Sequence, residues 1–131
     1  MKAITQELIH VFKPHGIDWM GYTYENNKQL SFHHIKKKEN GGLYEFDNGA
    51  LLRGNTSHEY LHLIEVKDLD MYIYINHILK IINEQRYTPT KQQLIQIRDV
   101  LELFEKEHCA DRTMKGKQLI KYKYLDRRVK L

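Results

Sequence analysis

Four of the eight histidines in this 131-residue chain fall within residues 31–65. Two are adjacent, at His33 and His34, and two are separated by three residues, at His58 and His62. Positions four apart on a helix lie one turn apart on the same face, so two imidazoles there can bind one metal ion. Neighbouring side chains of a strand point to opposite faces, so His33 and His34 are expected to have separate roles.

The elements that must position these histidines can be predicted from the sequence around them. The stretch LSFHHI favours a strand, KKKENGG a polar turn in which two glycines allow a tight backbone, and GALLRG a short return strand. A helix should follow, with Thr56 as N-cap and Glu59 three residues later completing a capping box. This order places His33 and His34 at the end of the first strand and His58 and His62 on the helix.

Helices are predicted on both sides of this unit. An amphipathic helix is expected over residues 3–13, a largely apolar helix over 68–86, and a third over 90–108, capped by Thr88 or Thr90. The unit between them is too small to have a core of its own, so the helices should cover it. We therefore predict an α+β fold in which the strand–strand–helix unit, at about 30–66, is embedded among helices.

Composition limits the class of protein. Hydrophobic residues make up 41% of the chain and charged residues 29%, which is typical of one globular domain, here taken as residues 1–131. The single cysteine, Cys109, excludes an internal disulfide and a cysteine-based zinc cluster. The N-terminus does not resemble a signal peptide and no apolar run is long enough for a membrane span, so we expect a cytoplasmic protein.

Positive charge is concentrated at the C-terminus. Residues 1–111 carry 13 Lys and Arg against 16 Asp and Glu, whereas residues 112–131 carry eight Lys and Arg against one acid. A basic block of this kind can attract a phosphate backbone, and Tyr122 and Tyr124 between its lysines could stack on bases. A solvated tail that aids solubility is the alternative interpretation.

Taken together, the two histidine pairs and the loop between them resemble the HNH endonuclease motif, also called the ββα-metal or His-Me finger. The match is closest to the His-rich form found in bacterial DNase colicins and covers residues 31 to about 65. Its elements are the HH pair, the GG turn, Y-x-x-D-N at Tyr44 to Asn48, and H-x-x-x-H on the helix. The overall character is similar to small stand-alone HNH proteins of bacteria and their phages.

The resemblance implies a role for each matching residue. His33, His58 and His62 stand at the positions of metal ligands, and His34 stands at the position of the general base. Asn48 matches the asparagine that ties the loop together and holds the base in orientation, through a loop carbonyl that would accept from the ring of His34. One divalent ion is implied, with zinc or nickel favoured by three imidazoles and magnesium or manganese open for turnover.

The chain departs from the family pattern in two respects. It lacks the Cys-x-x-Cys pairs that hold a second zinc in many members, and the basic residues that often follow the last histidine are replaced by LIE. Phosphate binding is therefore expected elsewhere, at Arg53, at a lysine of residues 36–38, or in the basic segment 112–131. The candidates in that segment are Lys121, Lys123, Arg127 and Arg128.

The sequence thus predicts a metal-dependent endonuclease that acts on DNA. Two alternatives stay open. The protein could be a non-catalytic, metal-stabilised module that binds nucleic acid, or it could be a nuclease that acts on RNA. One active site handles one strand, so cleavage of both strands would need a homodimer or two binding events. No membrane partner is expected.

Overall fold

The computed structural model describes residues 2–108 and 127–131. Within these ranges the chain forms a mixed α+β structure, so the predicted class is confirmed, with one helix before the strands and the expected helices after them. In chain order the elements are α1 (Ala3–Phe12), β1 (Leu30–His34), β2 (Gly49–Arg53), α2 (Glu59–Lys67), α3 (Leu69–Gln85) and α4 (Lys91–His108).

The two strands form an antiparallel pair. His33 lies opposite Ala50 and His34 lies opposite Gly49 in the register. Because side chains alternate along a strand, Ser31 and His33 share one face of β1, while His34 projects to the other face. The adjacent histidines are thereby separated across the strand.

The connection between the strands makes a tight turn at its two glycines. Gly41 has φ 88°, in the left-handed region that favours glycine. At Gly42 a Cβ atom would lie 1.8 Å from the carbonyl oxygen of Lys36, so no side chain fits there. Each glycine of the pair is therefore required for a different reason, one for its dihedral angle and one for close approach.

The helix that carries His58 and His62 begins differently from the prediction. A π-helical turn at Gly54–His58 leads directly into α2, and the hydroxyl of Thr56 is buried without a hydrogen-bond partner among the described residues. Thr56 as N-cap is therefore wrong, because helical backbone starts two residues earlier. Arg53 immediately precedes the π-helical turn. Its backbone N–H donates to Ser57 Oγ at 3.1 Å and to Asp18 Oδ2 at 2.8 Å.

The core lies between the strand pair and the flanking helices. Leu8 and Phe12 of α1 pack with Leu51 of β2, and α3 contributes Ile75 and Leu79. The α4 helix starts at a capping box in which Thr90 Oγ1 accepts from the backbone N–H of Gln93, consistent with one of the two predicted caps. None of the helices in the described ranges is long and apolar enough to cross a bilayer.

Candidate metal centre

Three of the four histidines converge on one point. His33 from β1, His58 from the π-helical turn and His62 from α2 each offer a ring nitrogen, and these nitrogens lie within 4.8 Å of one another. The ring centroids are 5.2 Å apart for His33 and His58, 5.7 Å for His33 and His62, and 5.0 Å for His58 and His62. This cluster, named here the histidine triad, can hold one metal ion.

Ser31 orients the ring of His58. Its hydroxyl lies 2.9 Å from the carbonyl oxygen of Leu52 and 2.8 Å from Nδ1 of His58. A hydroxyl has one proton, and the carbonyl can only accept it, so Nδ1 of His58 must donate to Ser31. That tautomer leaves Nε2 of His58 as the unprotonated nitrogen.

Asn76 of α3 orients the ring of His33 in the same way. Its Oδ1 lies 2.7 Å from Nε2 of His33, and both side chains are buried. Since Oδ1 accepts, Nε2 carries the proton and Nδ1 is bare. That Nδ1 is a buried polar atom without a hydrogen-bond partner among the described residues. A metal ion at the triad is the kind of partner that such an orphaned nitrogen requires.

Glu65 supplies the corresponding partner for His62. The Nδ1 of His62 lies 3.2 Å from Oε1 of Glu65, and the other oxygen of that carboxylate pairs with Lys37 Nζ at 2.5 Å. The side chain of His62 is 49% exposed, so it forms the solvent side of the triad. Each of the three rings thus has an acceptor on one nitrogen, which is the usual outer-shell arrangement around metal-binding histidines.

Burial keeps His33 and His58 of the triad neutral. Burial lowers the pKa of His33 to about 3, with a further lowering from the neighbouring imidazoles and an opposing effect of the Asn76 hydrogen bond. Burial and the proximity of His62 lower the pKa of His58 to about 4. Neutral imidazole is the form that binds metal, so both rings are available as ligands at neutral pH.

His34 lies outside the triad but opens into the same cavity of about 270 Å³. Its ring packs edge-on against Tyr44, with centroids 4.2 Å apart. Burial lowers the pKa of His34, and the positive charges of Lys38 and Lys2 lower it further. His34 is therefore a neutral base at neutral pH. Its Nε2 is buried and without a hydrogen-bond partner among the described residues.

Asn48 ties the connection between the strands together. Its Oδ1 accepts from the backbone N–H of Lys36 at 2.7 Å, and its Nδ2 donates to the carbonyls of Lys36 and Leu43 at 3.0 Å each. Its own carbonyl accepts from the N–H of Ile35 at 2.9 Å. Asn48 therefore fixes the backbone next to His34. The carbonyl of Asn48 is occupied by Ile35, and no hydrogen bond from the ring of His34 to a loop carbonyl is found among the described residues.

The residues predicted to bind nucleic acid differ in their exposure and in their contacts. Arg53 donates from Nη1 to the carbonyl of Thr23 at 2.7 Å, and its side chain lines an open cavity together with Arg127. Arg128 pairs with Glu105 at 2.7 Å, and its side chain is only 11% exposed, which favours a structural anchor over a contact with a ligand. Lys121 and Lys123, with most of the segment 112–131, lie outside the described residues.

Besides Ser31 and Glu65, which contact His58 and His62, two more residues of the site were missed from the sequence. Asn76 is one, and its signal was an asparagine within an otherwise apolar helix. Asp18 is the other, since its buried carboxylate accepts from the backbone N–H groups of Met20, Tyr22 and Arg53 and from the hydroxyl of Ser57. Burial raises the pKa of Asp18, and these hydrogen bonds offset only part of that rise. Asp18 thereby fixes the turn that leads to His58.

A second group of potential ligands lies where the start of α3 meets the end of α4. It consists of Asp68, Glu107 and His108. Asp68 already caps α3 by accepting from the backbone N–H of Met71 at 3.2 Å, and it pairs with His108 at 3.2 Å. These contacts explain the cluster as a helix cap and an ion pair that join the start of α3 to the end of α4.

Comparison with protein families, with curated proteins and with solved structures gave no match for this chain. Its function is therefore argued from the geometry of the histidine triad and its surroundings.

Proposed function

We propose that this protein is a metal-dependent endonuclease of the ββα-metal type that hydrolyses phosphodiester bonds of DNA. The observation that carries the proposal is the relation between the triad and His34. Three oriented imidazoles can bind one ion, and a fourth imidazole outside that set, His34, shares their cavity. The order β1, β2, α2 supplies the two strands and the helix of such a finger.

The triad suits a transition ion such as zinc or nickel, because imidazole nitrogens are poor ligands for magnesium. A divalent ion at this site would neutralise charge on the scissile phosphate and stabilise the leaving oxygen, and magnesium or manganese remain candidates for turnover. Three protein ligands leave coordination positions open, as in catalytic metal sites. The nitrogens assigned to the ion are Nδ1 of His33 and Nε2 of both His58 and His62.

His34 provides the proton transfer. Water attacks the phosphorus, the bond from phosphorus to the leaving oxygen breaks, and the proton of the water passes to the neutral imidazole of His34. The lowered pKa ensures that this ring is unprotonated before the attack. Tyr44 packs against the ring and Asn48 holds the adjacent backbone, so the base is held in place from two sides.

A plasmid-nicking assay tests the proposal. Purified protein is stripped with EDTA and then supplied with magnesium, manganese, nickel or zinc, and the nicking of supercoiled DNA is followed. His34→Ala should abolish nicking and keep the zinc affinity of the wild type, because His34 is not a member of the triad. His77→Ala, a change of an exposed histidine on α3, is the matched control and should nick normally.

The main alternative is a metal-stabilised binding module without turnover. It is distinguished by the same experiment, because such a protein would bind zinc and leave plasmid intact with every metal. Equal nicking by the wild type and by His34→Ala would reject His34 as the base and point to a contaminating nuclease.

A further inference from the structure

Three cavities run one after another along strand β1. The first, of about 620 Å³, shares Lys28, Leu30 and Ser31 with the second, of about 700 Å³. The second shares Phe32 and Tyr44 with the cavity of the histidine triad. Because neighbouring cavities share lining residues, we treat the three as one surface, named here the β1 groove, with Arg127 at one end and the metal site at the other.

The β1 groove concentrates positive charge on an otherwise acidic body. Lys28, Arg53 and Arg127 line its first cavity and Lys2 joins Lys28 in the second. Among the described residues that line these two cavities there is no carboxylate. Residues 1–111, which include Lys2, Lys28 and Arg53, carry three more acids than bases, so the positive lining does not follow from the composition of that part of the chain.

Nearer the triad the positive charge is partly compensated. Lys37 pairs with Glu39 at 3.3 Å and with Glu65 at 2.5 Å, so it contributes little to the attraction of an anion. Lys38 lies over the ring of Tyr44, 4.6 Å from its centroid. Lys28 and Arg127 do not line the cavity of the triad and have no ion pair among the described residues, so they can bind a polymer that extends beyond the scissile phosphate.

We propose that the β1 groove binds the phosphate backbone of the strand to be cut in duplex DNA, with Lys28 and Arg127 as its exposed contacts. This inference rests on the proposed nuclease function and extends it. The five residues of β1 span about 16 Å at about 3.3 Å per residue, which corresponds to the rise of about five base pairs along the axis of a duplex. A duplex is favoured over a single strand because, among the described residues, Phe32 and Tyr44 are the only aromatic rings that line the first two cavities, whereas single-strand binders stack bases on several.

Binding is measured without metal, so that cleavage and binding are separated. A fluorescein-labelled DNA duplex is titrated with protein in EDTA, and the anisotropy is recorded at several salt concentrations between about 50 and 200 mM. Lys28→Gln combined with Arg127→Gln should reduce the slope of log K against log salt by about 1.8, since each lost contact contributes about 0.9. At 0.1 M salt each substitution should weaken DNA binding about eightfold more than it does at 1 M salt.

The matched control is Lys91→Gln. Lys91 is exposed at the start of α4 and lines none of the three cavities, so this variant should keep the wild-type slope within about 0.3. Circular dichroism of the double variant checks its fold, which should be unaffected because both side chains are exposed. A single-stranded oligonucleotide of the same length should bind more weakly than the duplex.

The outcomes separate this inference from the proposed function. Nicking by the wild type together with unchanged binding by the double variant would overturn the groove and leave the nuclease standing. Loss of binding by the double variant in a protein that never nicks would support the groove and reject the nuclease. Tighter binding to the single strand would overturn the assignment to duplex DNA.

Discussion

Replacing Asn76 tests whether the triad is a metal site assembled with the help of α3. Asn76→Ala removes the acceptor 2.7 Å from Nε2 of His33 and leaves that buried N–H without a partner. An unsatisfied buried donor costs about 1–3 kcal/mol, and the ring can escape the cost by rotating or changing tautomer. Either response removes the bare Nδ1 from the triad.

The expected loss of metal affinity can be estimated from this geometry. Removing an outer-shell partner of a metal-binding histidine costs about 10–100-fold in affinity, or about 1.4–2.7 kcal/mol. This loss of binding free energy is similar to the cost of leaving the N–H of His33 unsatisfied, because both come from the loss of the same hydrogen bond to Asn76. Zinc affinity is measured near pH 7.5 by competition with a chromophoric chelator, and the free energy of unfolding by urea denaturation.

Asn83→Ala is the matched control on the same helix. Asn83 is also buried, and its Nδ2 donates to the carbonyls of Phe46 and Gly49 at 2.7 and 2.8 Å, without contact to the triad. Its loss should destabilise the fold by about 1–2 kcal/mol and leave zinc affinity within about twofold of the wild type. Asn76→Asp keeps an acceptor for His33, so it should restore zinc affinity while lowering the stability of the metal-free protein.

One result would refute the reasoning. If Asn76→Ala lowers the free energy of unfolding but binds zinc as tightly as the wild type, Asn76 is a packing residue and the tautomer assigned to His33 is wrong. Equal losses of affinity in Asn76→Ala and Asn83→Ala would likewise show that metal binding follows global stability and not the orientation of one ring.

Two further predictions concern pH and the turn between the strands. Because burial depresses the pKa of His33 to about 3 and of His58 to about 4, the unfolded chain binds more protons below about pH 6.5 than the folded chain. The free energy of unfolding of the metal-free protein should therefore fall as the pH is lowered from about 6.5 to 4, by up to about 2.7 kcal/mol per pH unit from these two rings. His58→Asn should show a shallower fall, because one of the two rings is gone. Urea denaturation across this pH range measures the fall, and equal slopes in the wild type and the variant would contradict the prediction. Gly42→Ala places a methyl group 1.8 Å from the Lys36 carbonyl and should destabilise the protein by about 1–3 kcal/mol in the same assay, whereas an unchanged stability would show that the turn relaxes freely.

The parts of the fold that could be predicted from the sequence are those fixed by local spacing. The interval between His58 and His62 is one helical turn, and the alternation of His33 and His34 is a property of any strand. Both patterns hold in the structure, and the metal-binding geometry of three histidines follows from them once β1 and α2 are adjacent.

The parts that could not be predicted depend on contacts between distant residues. Asn76 lies 43 positions from His33, and Asp18 lies 35 positions from Arg53. Nothing in the neighbourhood of either residue identifies its partner, because a buried polar side chain shows only that some partner must exist. Thr56 is not a cap because the helical backbone begins at Gly54, and the N–H of Arg53 just before it is accepted in part by Asp18, which no local pattern includes.

The support that α3 gives to the strands bears on what the metal does. Asn76 orients a ligand and Asn83, two turns further along α3, holds the backbone at the start of β2, so the same helix face serves the site and the sheet. The apolar residues around these asparagines pack with α1, β2 and α4 without any contribution from the triad. A small finger that relied on its ion for folding would need no such cover. An ion at the triad would therefore serve the proposed chemistry at the cavity shared with His34 and would not be needed to build the core.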